Sequence, residues 1–447
     1  MEKIQTLKIE KLSSEGEGIA RLDGYVIFVE KSVPEDIVEV EIIKENKNFA
    51  KAKILKIISP SKYRTQPFCA LYNACGACSL QHIHYEAQLK FKKEIVQDAI
   101  KNIAGLDIIV DDVVPSPQKQ EFRCKIQYPT SQTKVSKRVL AGYYKPKTHE
   151  LINIKHCPIQ PKICDEIMEF IRQKVQELSI DCYNEKTAKG LLRHITIRHS
   201  KYTGENLVTF VLNANEITNE IKQLALALFK HFDTVKGVCA NFNTRKSNVI
   251  MGEKTILMCG NPTIEEKILD KIFKIGANTF FQVNPKSAEN IFKYVKEIIA
   301  RKYKKPTVLD AYAGIASFGI VISDICQKVI SVEENPDSTT LVQEVLQLNK
   351  INNLEIHTAD TAKYMEKCSG KFDVIILDPP RKGCDEKTLD ETLRLCTGQI
   401  IYISCNPATL ARDLKYLTAK NAKIQSIRPF DMFCHTPHIE NVAIISK

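Results

Sequence analysis

The sequence predicts an α/β protein in three parts. Residues 1–60 read as a small, OB-like N-terminal β-barrel, 61–268 as a central α+β domain with a cysteine cluster, and 269–447 as a doubly wound, Rossmann-like domain. Three observations carry this reading. Period-two alternation with glycine punctuation dominates the first sixty residues. From about Lys271, near-continuous apolar strands alternate with apolar-periodic helices. Between the two stands Cys69-x5-Cys75-x2-Cys78, with Cys157 downstream. The length of 447 residues fits, at roughly 100–200 residues per domain.

In the first part, Val38-Glu39-Val40-Glu41-Ile42 and Ala50-Lys51-Ala52-Lys53-Ile54 alternate apolar and charged, and Tyr25–Val29 is a buried-strand run. Gly16, Gly18, Gly24, Pro34 and Asn46 fall where turns are needed. Curling such short strands into a barrel hides their edges. The barrel reads either as an oligonucleotide-binding module or as a spacer. The middle part holds the cysteines, then an amphipathic helix over about Tyr85–Ile103, to which Lys90, Lys92 and Lys93 give a basic face. Phe122–Pro158 is β-rich and basic, with Arg123, Lys125, Lys134, Lys137, Arg138, Lys145 and Lys147 interleaved with Tyr128, Tyr143 and Tyr144. Cations that track phosphates and rings that stack on bases suit single-stranded nucleic acid. A solvated sheet face is the alternative.

Composition bounds the partners. Hydrophobic residues at 44% and charged residues at 26% exclude wholesale disorder. Lys+Arg 64 against Asp+Glu 53 leaves +11, which favours a polyanionic partner. No run approaches the roughly 18 apolar residues of a membrane span, and Met1-Glu2-Lys3-Ile4-Gln5 is too polar to open a secretory signal. A cytoplasmic protein without membrane contact is expected. Its fifteen cysteines should then be reduced thiols, so clustered ones point to a metal or to catalysis. Four thiolates can hold zinc or an iron–sulfur cluster, and the spacing does not choose.

In the last part the predicted strands are Thr307–Asp310, Lys328–Glu333, Leu354–Thr358, Phe372–Asp378 and Gln399–Ser404, with helices such as Ser287–Arg301 and Ser338–Lys350 between them. This is a parallel sheet covered on both faces, with ligands expected at the strands' carboxyl ends. The turn Ala311-Tyr312-Ala313-Gly314-Ile315-Ala316 has too few glycines for a dinucleotide loop. Asp310, Glu333, Asp360 and Asp378 fall at successive strand ends. That much negative charge suits a cationic nucleoside such as S-adenosylmethionine, although each carboxylate alone could be a helix cap. Cys405 stands at the mouth of the fifth strand, just before a helix beginning near Ala408. A helix N-terminus can draw a thiol below its free pKa of about 8.5, which makes a nucleophile. The alternative is a small buried hydrophobe. His438-Ile439-Glu440 precedes a last strand, Asn441–Ser446. If that strand runs antiparallel, Glu440 reaches the same rim as a candidate general base.

With these motifs, nearly the whole chain resembles the S-adenosylmethionine-dependent RNA (uracil-5-)-methyltransferases, in particular the TRAM-domain, iron–sulfur-containing 23S rRNA uracil methyltransferases. Phe280-Phe281-Gln282-Val283-Asn284 looks like the family's cofactor motif and Asp378-Pro379-Pro380-Arg381-Lys382-Gly383 like its substrate-side loop. Ser404-Cys405-Asn406-Pro407-Ala408-Thr409-Leu410-Ala411-Arg412-Asp413 is similar to its nucleophile motif, and His438-Ile439-Glu440 to its base motif. The resemblance implies methyl transfer to C5 of a uridine in structured RNA, with ribosomal RNA favoured over transfer RNA. It implies that Gln282, Tyr312, Glu333 and Asp378 bind the cofactor, that Cys405 adds to C6 of the uracil, and that Glu440 is the base. Residues 1–60 would be a TRAM barrel. Cys69, Cys75, Cys78 and Cys157 would hold a [4Fe–4S] cluster, favoured over zinc, and a monomer is expected. Members often have Tyr-Cys-Gly-x-Gly where this chain has Tyr312-Ala313-Gly314-Ile315-Ala316, so Ala316 adds a Cβ where glycine permits close approach. Phe280 or Phe433 could stack on an extruded base, or be core. Two other readings stay open: the same reaction on transfer RNA, and a non-catalytic RNA-binding or assembly factor.

Overall fold

The computed structural model describes residues 3–447. Six strands at the N-terminus form one sheet: Ile4–Lys8, Lys11–Leu12, Gly18–Leu22, Tyr25–Val29, Ile37–Glu45 and Phe49–Ser59. All pairings are antiparallel except that of Tyr25–Val29 with Phe49–Ser59. The sheet curls over Leu7, Ile9, Ile27, Val29, Val38, Val40, Ala50 and Ala52, which share one core. Val38 and Val40 are fully buried while Glu39 and Glu41 face outward, so the period-two alternation is realised as a curled sheet.

A helix covers Tyr85–Ala99, continues as a π-helical turn over Ile100–Ala104, and ends on Gly105 at φ +71°. The expected basic face is not free. Lys92 is completely buried and pairs with Asp431 at 2.6 Å, Lys93 pairs with Asp112 at 2.7 Å, and Lys90 lies over the Tyr63 ring. The cause is packing on more than one side. Val96, Ile100 and Ala104 join the core of the C-terminal sheet, and Ala87, Phe91 and Ile95 pack on Leu80 and Ile83 beside the cysteine segment.

The central sheet has seven strands in the order Lys254–Gly260, Val235–Phe242, Asn206–Leu212, Leu192–His199, Lys125–Gln132, Val139–Tyr144, Leu151–Asn153. Only Asn206–Leu212 and Val235–Phe242 pair in parallel. Helices Lys162–Glu177 and Asn219–His231 bury their apolar stripes on one face, through Ile167, Ile171, Leu224 and Leu228. Part of the basic and aromatic stretch on this sheet is engaged within the protein, while Lys134, Lys137 and Arg138 stay exposed. Tyr128 is buried in the core, Arg123 stacks on Tyr143 with 5.1 Å to the ring centroid, and Lys147 bridges to Glu17 and Glu30 of the N-terminal sheet. Tyr128 is therefore unavailable for stacking on a base.

The C-terminal sheet has the order Leu354–Thr358, Lys328–Glu333, Thr307–Ala311, Phe372–Leu377, Cys396–Ser404, Glu440–Ser446, Lys423–Phe430. Its pairings are parallel except that Glu440–Ser446 runs antiparallel to both neighbours, as the sequence required for Glu440 to reach the rim. Helices Pro285–Lys302 and Pro336–Leu348 start slightly earlier than periodicity suggested, because Asn284 and Asn335 cap them and proline occupies the first turn. A hairpin, Thr263–Ile268 with Lys271–Gly276, adds Ile264, Phe273 and Ile275 to the same core. Among the described residues no helix is long and apolar enough to cross a membrane.

Candidate active site

A cleft of about 850 Å³ opens at the carboxyl ends of the parallel strands. Gln282, Tyr312, Glu333, Asp378, Cys405 and Glu440 all line it, so the structure brings together every residue expected there for donor binding and catalysis. Asp360 lines it too and caps the helix Thr361–Lys367 by accepting from the Lys363 N–H at 2.9 Å. Asp310 does not. It is fully buried beneath the rim, where one oxygen accepts from the Gly319 N–H at 3.0 Å and Ser331 Oγ at 3.2 Å. Burial, with Asp378 and Glu333 nearby, pushes its carboxyl up to about 7.

The turn after Thr307–Ala311 is braced by Glu333. One carboxylate oxygen accepts from the Gly314 N–H at 2.8 Å and the other from the Asn335 N–H at 2.9 Å. Tyr312 and Ala316 both have positive φ, +60° and +54°. Ala316 is completely buried, shares a core with Ile315 and Phe318, and is not itself among the residues that line the cleft.

Cys405 sits between the last residue of the strand Cys396–Ser404 and Asn406, the N-cap of the helix Pro407–Ala419. The Asn406 side chain accepts from the Ala408 N–H at 3.0 Å, and Pro407 fills the first helical position, so Cys-Asn-Pro is a strand-to-helix turn that presents the thiol. The following turns grip the loop Asp378–Cys384. Thr409 Oγ1 donates to the Arg381 carbonyl at 3.2 Å, and Arg412 donates to the Lys382 and Cys384 carbonyls at 2.9 and 3.1 Å. Asp413 accepts from the Cys384 N–H at 2.9 Å and from the Tyr402 hydroxyl at 2.5 Å. Asn441 Nδ2 donates to the Ser404 carbonyl at 3.1 Å and ties the last strand to the cysteine turn.

The electrostatics differ from the helix-terminus expectation. Burial and the Glu440 carboxylate push the Cys405 thiol up, while the positive charge of Arg381 pulls it back down. Glu440 is buried and is pushed well above the carboxylate range by desolvation and by Asp378. Asp378 is also raised, by burial. Arg381 is the cation facing this cluster, and sequence reasoning missed its role. Its only signal was a positive charge directly after Asp378-Pro379-Pro380. Phe280 and Phe433 both line the cleft, and Phe280 is 59% exposed, which favours a contact role over a core role for it.

Cys69, Cys75, Cys78 and Cys157 line one small cavity walled by Leu71, Ile154 and Ile159. Four thiols facing one space is a donor set suited to a soft metal. Among the described residues, however, no three His, Cys, Asp or Glu side chains are arranged to hold a metal ion.

The sheet order, with its acid-lined cleft at the carboxyl edge, is that of an S-adenosylmethionine-dependent methyltransferase. Comparison with known proteins narrows this class. Residues 84–447 match the family described as tRNA (Uracil-5-)-methyltransferase, and residues 2–55 match the TRAM domain. An uncharacterised RNA methyltransferase of Bacillus cereus is 36% identical, over 97% of this chain and 95% of its own. One from Synechocystis is 34% identical, over 98% and 95%. Among solved structures, the tRNA (uracil-54, C5)-methyltransferase of Pyrococcus abyssi in complex with S-adenosyl-L-homocysteine superposes with a TM-score of 0.79 at 29% identity, covering 99% of this chain and all of that one. The chain belongs to the RNA (uracil-5-)-methyltransferase family and carries an N-terminal TRAM domain.

Proposed function

We propose that the protein methylates C5 of a specific uridine in RNA through a covalent adduct between Cys405 and C6 of the uracil. The observation that carries this is the juxtaposition of Cys405, Arg381 and Glu440 on the cleft that Gln282, Tyr312, Glu333 and Asp378 also line. Those four are assigned to the cofactor. Bound there, S-adenosylmethionine supplies an electrophilic methyl group. Uracil C5 is too weak a nucleophile to take it unaided. The Cys405 thiolate adds to C6, and the electron pair of the C5–C6 double bond moves to C5 and the O4 enolate. Arg381 favours the thiolate by its charge. After C5 has attacked that methyl group, whose bond to sulfur breaks to leave S-adenosylhomocysteine, Glu440 takes the C5 proton, that C–H pair reforms the C5–C6 double bond, and the C6–S bond breaks to return the Cys405 thiolate. The target base must leave its stack to reach this site, at a cost of a few kcal/mol, and the exposed Phe280 ring offers a surface for it.

Ribosomal RNA is the substrate we favour, on the combination of a TRAM domain with four clustered cysteines. Transfer RNA is the second reading, favoured by the Pyrococcus abyssi enzyme that the chain resembles in fold. Cys69, Cys75, Cys78 and Cys157 are proposed to hold a [4Fe–4S] cluster, or failing that zinc, in a structural role. Incubation with labelled S-adenosylmethionine and unmodified ribosomal or transfer RNA, followed by nucleoside mass spectrometry, tests the reaction. Labelled 5-methyluridine in one pool supports it and selects the substrate, and Cys405→Ala should abolish it. Label on cytidine or adenosine would sink the uracil mechanism.

A further inference from the structure

We propose that the buried Lys92–Asp431 ion pair is a positioning device that sets Glu440 against Cys405; this rests on the roles argued above for those two residues. Both side chains are completely excluded from solvent and meet at 2.6 Å. Desolvating two charges is expensive, and an apolar pair of similar volume is often as stable. What the charges provide here is direction. Lys92 Nζ also donates to the Phe433 carbonyl at 3.0 Å, and the second oxygen of Asp431 accepts from the Tyr85 hydroxyl at 2.7 Å. The Asp431 N–H donates to the Val114 carbonyl at 2.9 Å, and the Asp431 carbonyl accepts from Ser287 Oγ at 2.9 Å. Asn284 Nδ2 donates to the Met432 carbonyl at 3.1 Å. Residues 431–433 are thus fixed from the helix Tyr85–Ala99 and from the start of the helix Pro285–Lys302, whose cap Asn284 lies two residues after Gln282.

The register connects this anchor to the chemistry. Phe430 pairs with Glu440, so Asp431 directly follows the residue opposite the proposed base. Asn441 pairs with Ser404, one residue before Cys405. The path from Lys92 to the thiol therefore crosses one salt bridge and two strand rungs. Releasing Asp431 frees the turn between the last two strands, and the residue that moves first is Glu440. Cys405, held by its own cap and by the Asp378–Cys384 loop, stays.

The predicted signature is specific to the last step. With Cys405 in place and Glu440 displaced, the adduct forms but resolves slowly. The double variant Lys92→Met/Asp431→Asn removes both charges and keeps an acceptor for Tyr85. It should lower kcat for 5-methyluridine formation about tenfold, leave KM for S-adenosylmethionine within about twofold because the donor residues are untouched, and raise the steady-state fraction of SDS-stable protein–RNA adduct. Tyr85→Phe, a milder change that should fold in any event, should shift the adduct fraction in the same direction by less. If folded variants show wild-type kcat and wild-type adduct fraction, with only a lowered melting temperature, the pair is structural and the proposal is overturned. If the wild-type enzyme makes 5-methyluridine with no adduct at all, the covalent mechanism fails and takes this proposal with it, an outcome separable from the first.

Discussion

Burial pushes the Cys405 thiol up, Glu440 adds to that push and Arg381 opposes it, so the thiol stays raised. The thiolate is the reactive form, and its fraction grows as pH rises toward the thiol's pKa. The rate of adduct formation should therefore climb from neutral into alkaline pH. Arg381→Met, which removes the stabilising cation, should move that limb to higher pH; single-turnover adduct formation across the pH range measures it, and an unmoved limb would remove Arg381 from this role. Asp310 offers a second titration. Its folded value of about 7 lies above the 3.8 of a free aspartate, so the folded state holds a proton that the unfolded state has lost between those values. Stability is then greatest below about pH 4 as far as this group is concerned, and falls as pH rises toward 7, by on the order of a few kcal/mol. Asp310→Asn should flatten that part of the melting-temperature profile while keeping an acceptor for the Gly319 N–H. Cys405 and Glu440 were legible in the sequence because strand ends and motif spacing mark them. Asp310 was misplaced on the rim because sequence position fixes which strand a residue ends, not how deep its side chain lies. Arg381 was seen only as part of the Asp378–Gly383 motif, because a charge in a loop does not say which group it will face until the fold brings Cys405 and Glu440 beside it.

The loop Asp378–Cys384 and the helix Pro407–Ala419 act as one unit, since Thr409, Arg412 and Asp413 bond to the loop's backbone. Gly383 makes that fit possible. Its φ is +75°, and a Cβ there would lie 2.5 Å from Asp413 Oδ2 and 2.7 Å from Arg412 Nη2. Gly383→Ala should cost about 1–3 kcal/mol through left-handed strain and the lost contacts. It should lower methylation more than the loss of stability explains, because Asp378 and Arg381 shift with the loop; calorimetry and turnover on the same preparation separate the two. At this scale the five parallel strands of the C-terminal sheet and its last strand were readable, since short near-continuous apolar runs between periodic helices fit strands buried on both faces, whereas the edge strand Lys423–Phe430, which interleaves apolar with polar residues, was not. The helix Tyr85–Ala99 was half readable. Its amphipathic period revealed one buried face but could not reveal that a partner carboxylate, Asp431, waits on another element to bury Lys92 as well. The same limit applied to Tyr128, whose neighbours Arg123 and Lys125 made it look like a surface ring when the period-two pattern turns it into the core.

Long-range connections link the cysteine segment to the proposed base. The Ser79 and Leu80 N–H groups both donate to the His435 carbonyl at 2.9 Å, and His435 in turn meets Gln88 and the Lys119 carbonyl. His435 lies between Asp431 and Glu440, and Ser79 directly follows Cys78. The cysteine loop therefore braces the turn that delivers Glu440, and among the described residues it makes no hydrogen bond to Gln282, Tyr312, Glu333 or Asp378; the turn itself shares a core with Ala288, Phe292 and Val308 through Phe430 and Met432. A ligated cluster would join residues 69–78 to Cys157 and restrain the loop from both sides, and its binding free energy would add to the stability of the folded state because the unfolded chain has no preformed site. Cys75→Ala should thus lose bound iron and brown colour, lower the melting temperature, and lower kcat through the displaced base, while affinity for S-adenosylmethionine, read by calorimetry, stays near wild type. Loss of cofactor affinity in step with iron would mean that the brace reaches the donor residues through that shared core. Full iron content in Cys75→Ala would remove Cys75 from the ligand set, and zinc in place of iron in anaerobically purified wild-type protein would replace the cluster with a four-thiolate zinc site that braces the same turn.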